Sequence, residues 1–156
     1  MKTQQRPVPS INPNLSHYRL QIRRSPIHRL GVFAAERIPR GHMVIEYTGQ
    51  RMSILALLKR AERMSLAACA KLIYLVRVNR YWVVDGAIGG SGAEFINHSC
   101  EPNLRLRRLH EHLLLFSRRM IRKGEELSWD YHFSKKTEPI SCCCGSSKCR
   151  GTINLR

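Results

Sequence analysis

Three clusters along this 156-residue chain hold residue types that can do chemistry. Near the C-terminus, Cys142, Cys144 and Cys149 follow a Cys-x-Cys-x4-Cys spacing. Thiolates so spaced can face one metal ion, and a structural zinc takes four ligands in a tetrahedron. The fourth must come from elsewhere, and Cys100 is the best candidate. Cys143 falls out of the alternation, and Cys69 sits in a helix-like stretch that suits a small buried apolar residue. Free thiols are the plain alternative; clustering without a secretory leader favours the metal. The second cluster, Phe95-Ile96-Asn97-His98-Ser99-Cys100-Glu101-Pro102-Asn103, packs polar residues behind two apolar ones. Asparagine offers a donor and an acceptor together. Asn97 and His98, with backbone amides, could read the edge of a purine ring; the plain alternative is a polar turn ended by Pro102. The third cluster, Gly124 to Tyr131, brings Trp129 and Tyr131 together after a turn. Aromatic walls suit a cation or a narrow alkyl channel, although such rings are more often core packing.

The elements that must position these clusters are short. Tyr18 to Ile22, Val44 to Tyr47, Leu104 to Arg107 and His112 to Phe116 read as strands. Tyr74 to Val78 and Tyr81 to Val84 flank Asn79-Arg80, which suggests a hairpin. His110-Glu111 and Lys123-Gly124 mark turns. One segment differs: Ser53 can cap a helix with Ile54, Leu57, Leu58 and Ala61 on one face, continued by Leu66 to Leu72. Many short strands and one helical insertion predict a mainly β domain rather than a doubly wound α/β fold. No dinucleotide or P-loop glycine motif is present. Residues 1–16, with Pro7, Pro9 and Pro13 and little apolar periodicity, read as a mobile arm.

Charge narrows the partners. Twenty-seven Lys and Arg against 11 Asp and Glu give +16. Arg19 to Arg40 and Arg105 to Lys123 are especially basic stretches. Such a field favours nucleic acid, an acidic surface or a nucleoprotein, though charge alone identifies no partner. No run approaches the ~18 apolar residues of a membrane span. Met1 to Asn14 lacks an apolar leader core, so an intracellular chain with no membrane partner is expected.

Together, the clusters resemble the SET domain of protein-lysine methyltransferases followed by its post-SET segment. Phe95–Asn103 is similar to the family's central motif, Gly124–Tyr131 to its second, and Cys142–Gly151 to post-SET. Gly31-Val32-Phe33-Ala34 and Glu46-Tyr47-Thr48-Gly49 stand in the matching places ahead of them. The resemblance implies a SET domain over 17–133, with its helical insertion at about 53–72, and a post-SET segment over 138–156. It implies a β-clip fold with a knot-like C-terminal crossing. S-adenosylmethionine would be the methyl donor, held by Leu30, Gly31, Val32, Tyr47, Asn97, His98 and Tyr131. Tyr131 takes the catalytic tyrosine position, with Tyr74 and Trp129 lining the lysine channel. Cys100 would join Cys142, Cys144 and Cys149 on one structural zinc.

The implied reaction is direct in-line transfer to a neutral lysine amine, without a covalent enzyme intermediate. The implied substrate is a protein carrying a target lysine: a histone, a nucleosome or another basic DNA-associated protein. A nuclear or chromatin-associated site follows if the host has a nucleus, and a cytoplasmic one otherwise. Three positions depart from the family's usual pattern. Arg29 stands where glycine is common, Glu94 where arginine is common, and Trp129 where Tyr or Phe is usual. Arg29 and Trp129 are what favour the competing expectation, a catalytically inactive SET fold that binds nucleic acid through its arginines.

Overall fold

The computed structural model describes residues 9–62 and 74–155. Among them, ten short strands form four small sheets, and one α-helix interrupts the run. The strands are β1 (Leu20–Arg24), β2 (Leu30–Ala34), β3 (Met43–Glu46) and β4 (Gln50–Ser53), then α1 (Ile54–Glu62). After it come β5 (Leu75–Arg77), β6 (Trp82–Asp85), β7 (Asn97–His98), β8 (Leu104–Leu109), β9 (His112–Ser117) and β10 (Ser128–Trp129). The fold is mainly β with one short helix, as the sequence pattern predicts.

Local chemistry explains the elements. β8 and β9 form an antiparallel hairpin closed by His110 and Glu111, both at positive φ (44° and 71°). Two such residues make the turn whose twist matches a right-twisted hairpin. Along β9, Leu113, Leu115 and Ser117 are buried in alternation, which is the period of a strand with one face on the core. β5 and β6 pair antiparallel, and Asn79 Oδ1 closes their turn by accepting from the N–H groups of Tyr81 and Trp82. β9 lies between β3 and β8, and β6 between β4 and β5. Val32, Ile38, Val44, Ile45, Leu104, Leu113, Leu115, Ile121 and Leu127 form the dry centre.

The helix begins as expected. Ser53 Oγ accepts from Ala56 N at 3.1 Å. Ile54 and Leu57 are half-buried, but Leu58, on the same sequence-derived face, is 54% exposed. The continuation over Leu66 to Leu72, with Cys69, lies outside the described residues. So do residues 1–8 of the N-terminal arm. Residues 9–16, read from sequence as part of that arm, are instead seated on the body. Asn12 N donates to Ser91 O at 2.8 Å, Ser16 bridges Ile45, and Ile11 packs against the core. Periodicity over so short a stretch could not show this, because the partners are distant. No helix among the described residues is long and apolar enough to cross a membrane.

Candidate active site

The site is built where two distant segments meet. β7 and β10 pair in parallel, Ser128 opposite Asn97 and Trp129 opposite His98. Ser99 N extends the pairing by donating to Trp129 O at 3.2 Å. This short ladder places Asn97 and His98 beside Tyr131.

Asn97 is a buried hub. Its Nδ2 donates toward Leu30 O (2.9 Å), Glu126 Oε1 (2.8 Å) and Ser25 Oγ (3.1 Å). These acceptors fix the amide orientation and leave Oδ1 without a partner among the described residues. Glu126 also accepts from the Ser25 hydroxyl at 2.7 Å, and Ser25 Oγ accepts from Ile27 N at 2.9 Å. The turn between β1 and β2 is thus clamped to the segment before β10. Gly31 makes the clamp possible: any Cβ there would collide with the Glu126 carboxylate.

His98 is 5% exposed, and burial lowers it to about 4 against the opposing pull of Asp130. It is therefore neutral near pH 7. Its Nδ1 accepts from Tyr131 N at 3.3 Å, which leaves the proton on Nε2, 3.5 Å from Cys100 Sγ. Asp130 beside it is held in a bidentate pair with Arg150, at 2.7 and 3.0 Å. That pair fastens the C-terminal segment to the domain.

Tyr131 stands among His98, Trp129 and Phe133, with ring centroids 5.3, 5.1 and 6.0 Å away. Its hydroxyl donates to Ile96 O at 2.9 Å. Burial pushes its phenol well above the ordinary range, so it stays protonated at neutral pH. The Tyr47 phenol is raised in the same way, and its hydroxyl donates to Tyr74 O at 2.6 Å.

Two cavities meet here. One, of about 540 Å³, is walled by Tyr47, Ile96 and Trp129. The other, of about 700 Å³, is walled by Leu30, Tyr74, Asn97, His98 and the Cys142–Cys144 segment. Glu94, Tyr131 and Phe133 belong to both walls. Of the residues expected from sequence to hold a cofactor, Leu30, Asn97, His98 and Tyr131 line the larger cavity. Gly31 and Val32 are buried in the strand behind Leu30, and Tyr47 lines the smaller cavity. Of the channel residues, Trp129 lies on the smaller cavity and Tyr74 on the larger.

The four sulfurs of Cys100, Cys142, Cys144 and Cys149 lie within 4.8 Å of one another, a group that could hold one metal ion. Cys143 is exposed and outside it. Sequence reasoning missed Ser25 and Glu126, whose work depends on the turn folding back across the chain. It flagged Glu94 only as a departure.

Arg29 explains its own oddity. Its φ is +40°, the left-handed region that glycine enters freely. Arg29→Gly is expected to stabilise the fold by about 0.5–1 kcal/mol, the relieved strain less glycine's added unfolded-state entropy. Thermal unfolding would show a rise of about 2–3 °C. An unchanged or lower melting temperature would mean that the turn carries no strain.

The comparisons agree with this geometry. The family model described as "SET domain" matches residues 29–132. Histone-lysine N-methyltransferase set-2 of Caenorhabditis elegans is 36% identical over 142 residues, which covers 86% of this chain and 9% of that protein. Histone-lysine N-methyltransferase trithorax of Drosophila virilis is 38% identical over 135 residues, 84% of this chain and 4% of that protein. Histone H3-lysine(4) N-trimethyltransferase ATX1 of Arabidopsis thaliana is 38% identical over 140 residues, 87% of this chain and 13% of that protein. The chain thus spans between 4% and 13% of the length of these relatives. With the match running through the β7–β10 crossing and Tyr131, the chain belongs to the SET-domain family.

Proposed function

We propose that the chain is an S-adenosylmethionine-dependent protein-lysine N-methyltransferase acting on a histone or another basic DNA-associated protein. The observation that carries this reading is the meeting of two cavities at Tyr131, with no other wall residues shared except Glu94 and Phe133. A cavity of about 700 Å³ suits a cofactor-sized ligand. Asn97 Oδ1 is an open acceptor for an N–H of the cofactor, and Leu30 offers apolar contact. S-adenosylmethionine supplies an electrophilic methyl group on a cationic sulfur.

The smaller cavity suits a lysine side chain. Tyr47, Ile96, Trp129 and Tyr131 give it an apolar side, and Arg77, Glu94, Arg108 and His132 also line it. A free lysine has a pKa of about 10.4, and an apolar wall beside a cation disfavours its ammonium form. The walls then align a neutral amine with the methyl group it attacks. No nucleophile of the chain is needed.

Zinc is the metal we propose for the four cysteines. Zinc–sulfur bonds of about 2.3 Å put the sulfurs of a tetrahedron about 3.8 Å apart. Cys100 Sγ and Cys142 Sγ stand 3.7 Å apart. All four donors are thiolate-forming, which marks a structural site with no open position for catalysis.

The exposed arginines of β8, Arg105, Arg107 and Arg108, give the surface a strong positive field. They suit docking on a nucleoprotein, with the nucleic acid supplying the negative charge, and hence a chromatin-associated site. The named activities of the relatives support a histone substrate. The inactive nucleic-acid-binding alternative gains nothing from Arg29 or Trp129. The first lines the larger cavity without closing it, and the second is packed between Tyr47 and Tyr131.

Incubation with isotope-labelled S-adenosylmethionine tests the proposal, using nucleosomes, free histones and a cell lysate as acceptors. Label on a lysine of a histone is the expected outcome. Transfer to no acceptor, together with no cofactor binding by calorimetry, would sink it.

A further inference from the structure

We propose that Glu94 receives the target lysine, pairing with its ammonium group in the smaller cavity and taking its proton before transfer. The proposal rests on the lysine-methyltransferase reading above. Glu94 is the sole carboxylate among the described residues on the walls of either cavity, and it lies on both. It is only 8% exposed. Its Oε2 accepts from Gly92 N at 2.8 Å, and its Oε1 lies against Gly90. Gly90 clears the space for the carboxylate, since a Cβ there would collide with it. A carboxylate is thus held in a glycine-lined corner of the wall that the two cavities share.

The surroundings leave it available. Tyr47 faces Glu94, but its hydroxyl is committed to Tyr74 O. Arg77 and Arg108 lie on the same cavity wall, yet no ion pair joins either to Glu94. Arg108 instead donates to the Arg77 carbonyl at 2.8 Å. His132 is the remaining titratable group on that wall, besides Tyr131. In a chain of net charge +16, Glu94 is the one carboxylate among the described residues that offers attraction to a lysine inside this cavity. Burial raises the Glu94 carboxyl above its ordinary range, which makes it a better proton acceptor than a solvated carboxylate.

The protons and electrons balance. One proton passes from the ammonium to Glu94, leaving a neutral amine and a carboxylic acid. The amine's lone pair forms the new N–C bond as the methyl's bond to sulfur breaks, and that bond's electron pair stays on sulfur. The methylated nitrogen carries the positive charge, and Glu94 returns its proton to water. An arginine at this position, the residue that the resemblance leads one to expect, could not act so, because a guanidinium has no acceptor for the proton.

Glu94→Gln in the full chain is the test, because glutamine keeps an acceptor for Gly92 N and nearly the same volume. Relative to the native protein, kcat/KM on a lysine-bearing histone-tail peptide should fall about 10- to 100-fold at pH 7. The deficit should shrink above about pH 9, where the free amine begins to lose its proton unaided. Calorimetric affinity for S-adenosylhomocysteine and the melting temperature should not change. Glu94→Asp, which keeps the charge, should recover part of the rate and the native pH profile. An unchanged kcat/KM in the Gln variant, an equal deficit at both pH values, or a matching loss of cofactor affinity would overturn the role. A native chain that transfers no label would instead sink the enzymatic reading, and this role with it.

Discussion

Tyr131→Phe is expected to slow methyl transfer about 100-fold while leaving cofactor affinity nearly intact, because removing one aligned donor or misplacing a reactant by about 1 Å costs that much. The ring remains, so the packing against His98, Trp129 and Phe133 survives. What goes is a hydroxyl donating to Ile96 O at the junction of the two cavities. Burial keeps that hydroxyl protonated at neutral pH, so it orients its neighbours as a dipole and does not act as a base. The loss should therefore appear in kcat across the neutral pH range, measured by steady-state and single-turnover kinetics. A loss confined to KM would place the hydroxyl in uniform substrate binding and contradict this account.

Removal of the zinc proposed for the four cysteines should be as damaging, by a different route. Cys142→Ser, or treatment with a strong chelator, is expected to reduce activity by about 100-fold or more and to expose the chain beyond Phe133 to proteases. Between residues 134 and 155 only Asn154 is buried. Its amide donates to the carbonyls of Ser134 and Glu138, and short bridges join Phe133 to Asn154 and Ser141 to Thr152. Such polar contacts, without an apolar centre, do not hold a segment in water. Four thiolates on one ion can. The same segment forms part of the larger cavity's wall, and Cys100 contacts His98 Nε2. Loss of the metal thus removes a wall and a neighbour of His98 at once. Limited proteolysis and activity, measured with and without added zinc, check it. Full activity in the chelated protein would show that the arginine clamp of Arg150 on Asp130 suffices alone.

The candidate residues that the fold brings together were more legible in the sequence than the scaffold that does so. Cys142, Cys144 and Cys149, the Asn97-His98 pair and the Trp129–Tyr131 pair each carried a local signal in residue type and spacing, and Cys100 joined the cysteines only as the best candidate from elsewhere. The β5–β6 and β8–β9 hairpins were readable too, because their turns are encoded within a few residues, whereas the β1–β2 pair was not. Pairings between remote segments were not. Nothing in local periodicity joins β3 to β9, or β7 to β10, since a strand's pattern reports its buried face but not its neighbour. The clamp of Ser25 and Glu126 on Asn97 was hidden for the same reason. Tyr47 is instructive: it was expected at a strand end and on the cofactor, but it walls the smaller cavity, because its ring lies beside that of Trp129.

The parallel ladder of β7 and β10 also imposes a calendar on the growing chain. Asn97 and His98 leave the ribosome before the β8–β9 hairpin, and their partners Ser128 and Trp129 follow only after it. Contacts this distant in sequence close late, once loop entropy has been met by the hairpin between them. Cys149 comes later still, so Cys100 waits longest for its companions. During synthesis the strands around Ile45 and Leu115 can gather first, as a nucleus with no reaction vessel attached. A fragment stopped before Trp129 would carry that nucleus and two unpaired backbone edges at residues 97–98, an invitation to aggregate and a natural target for chaperones.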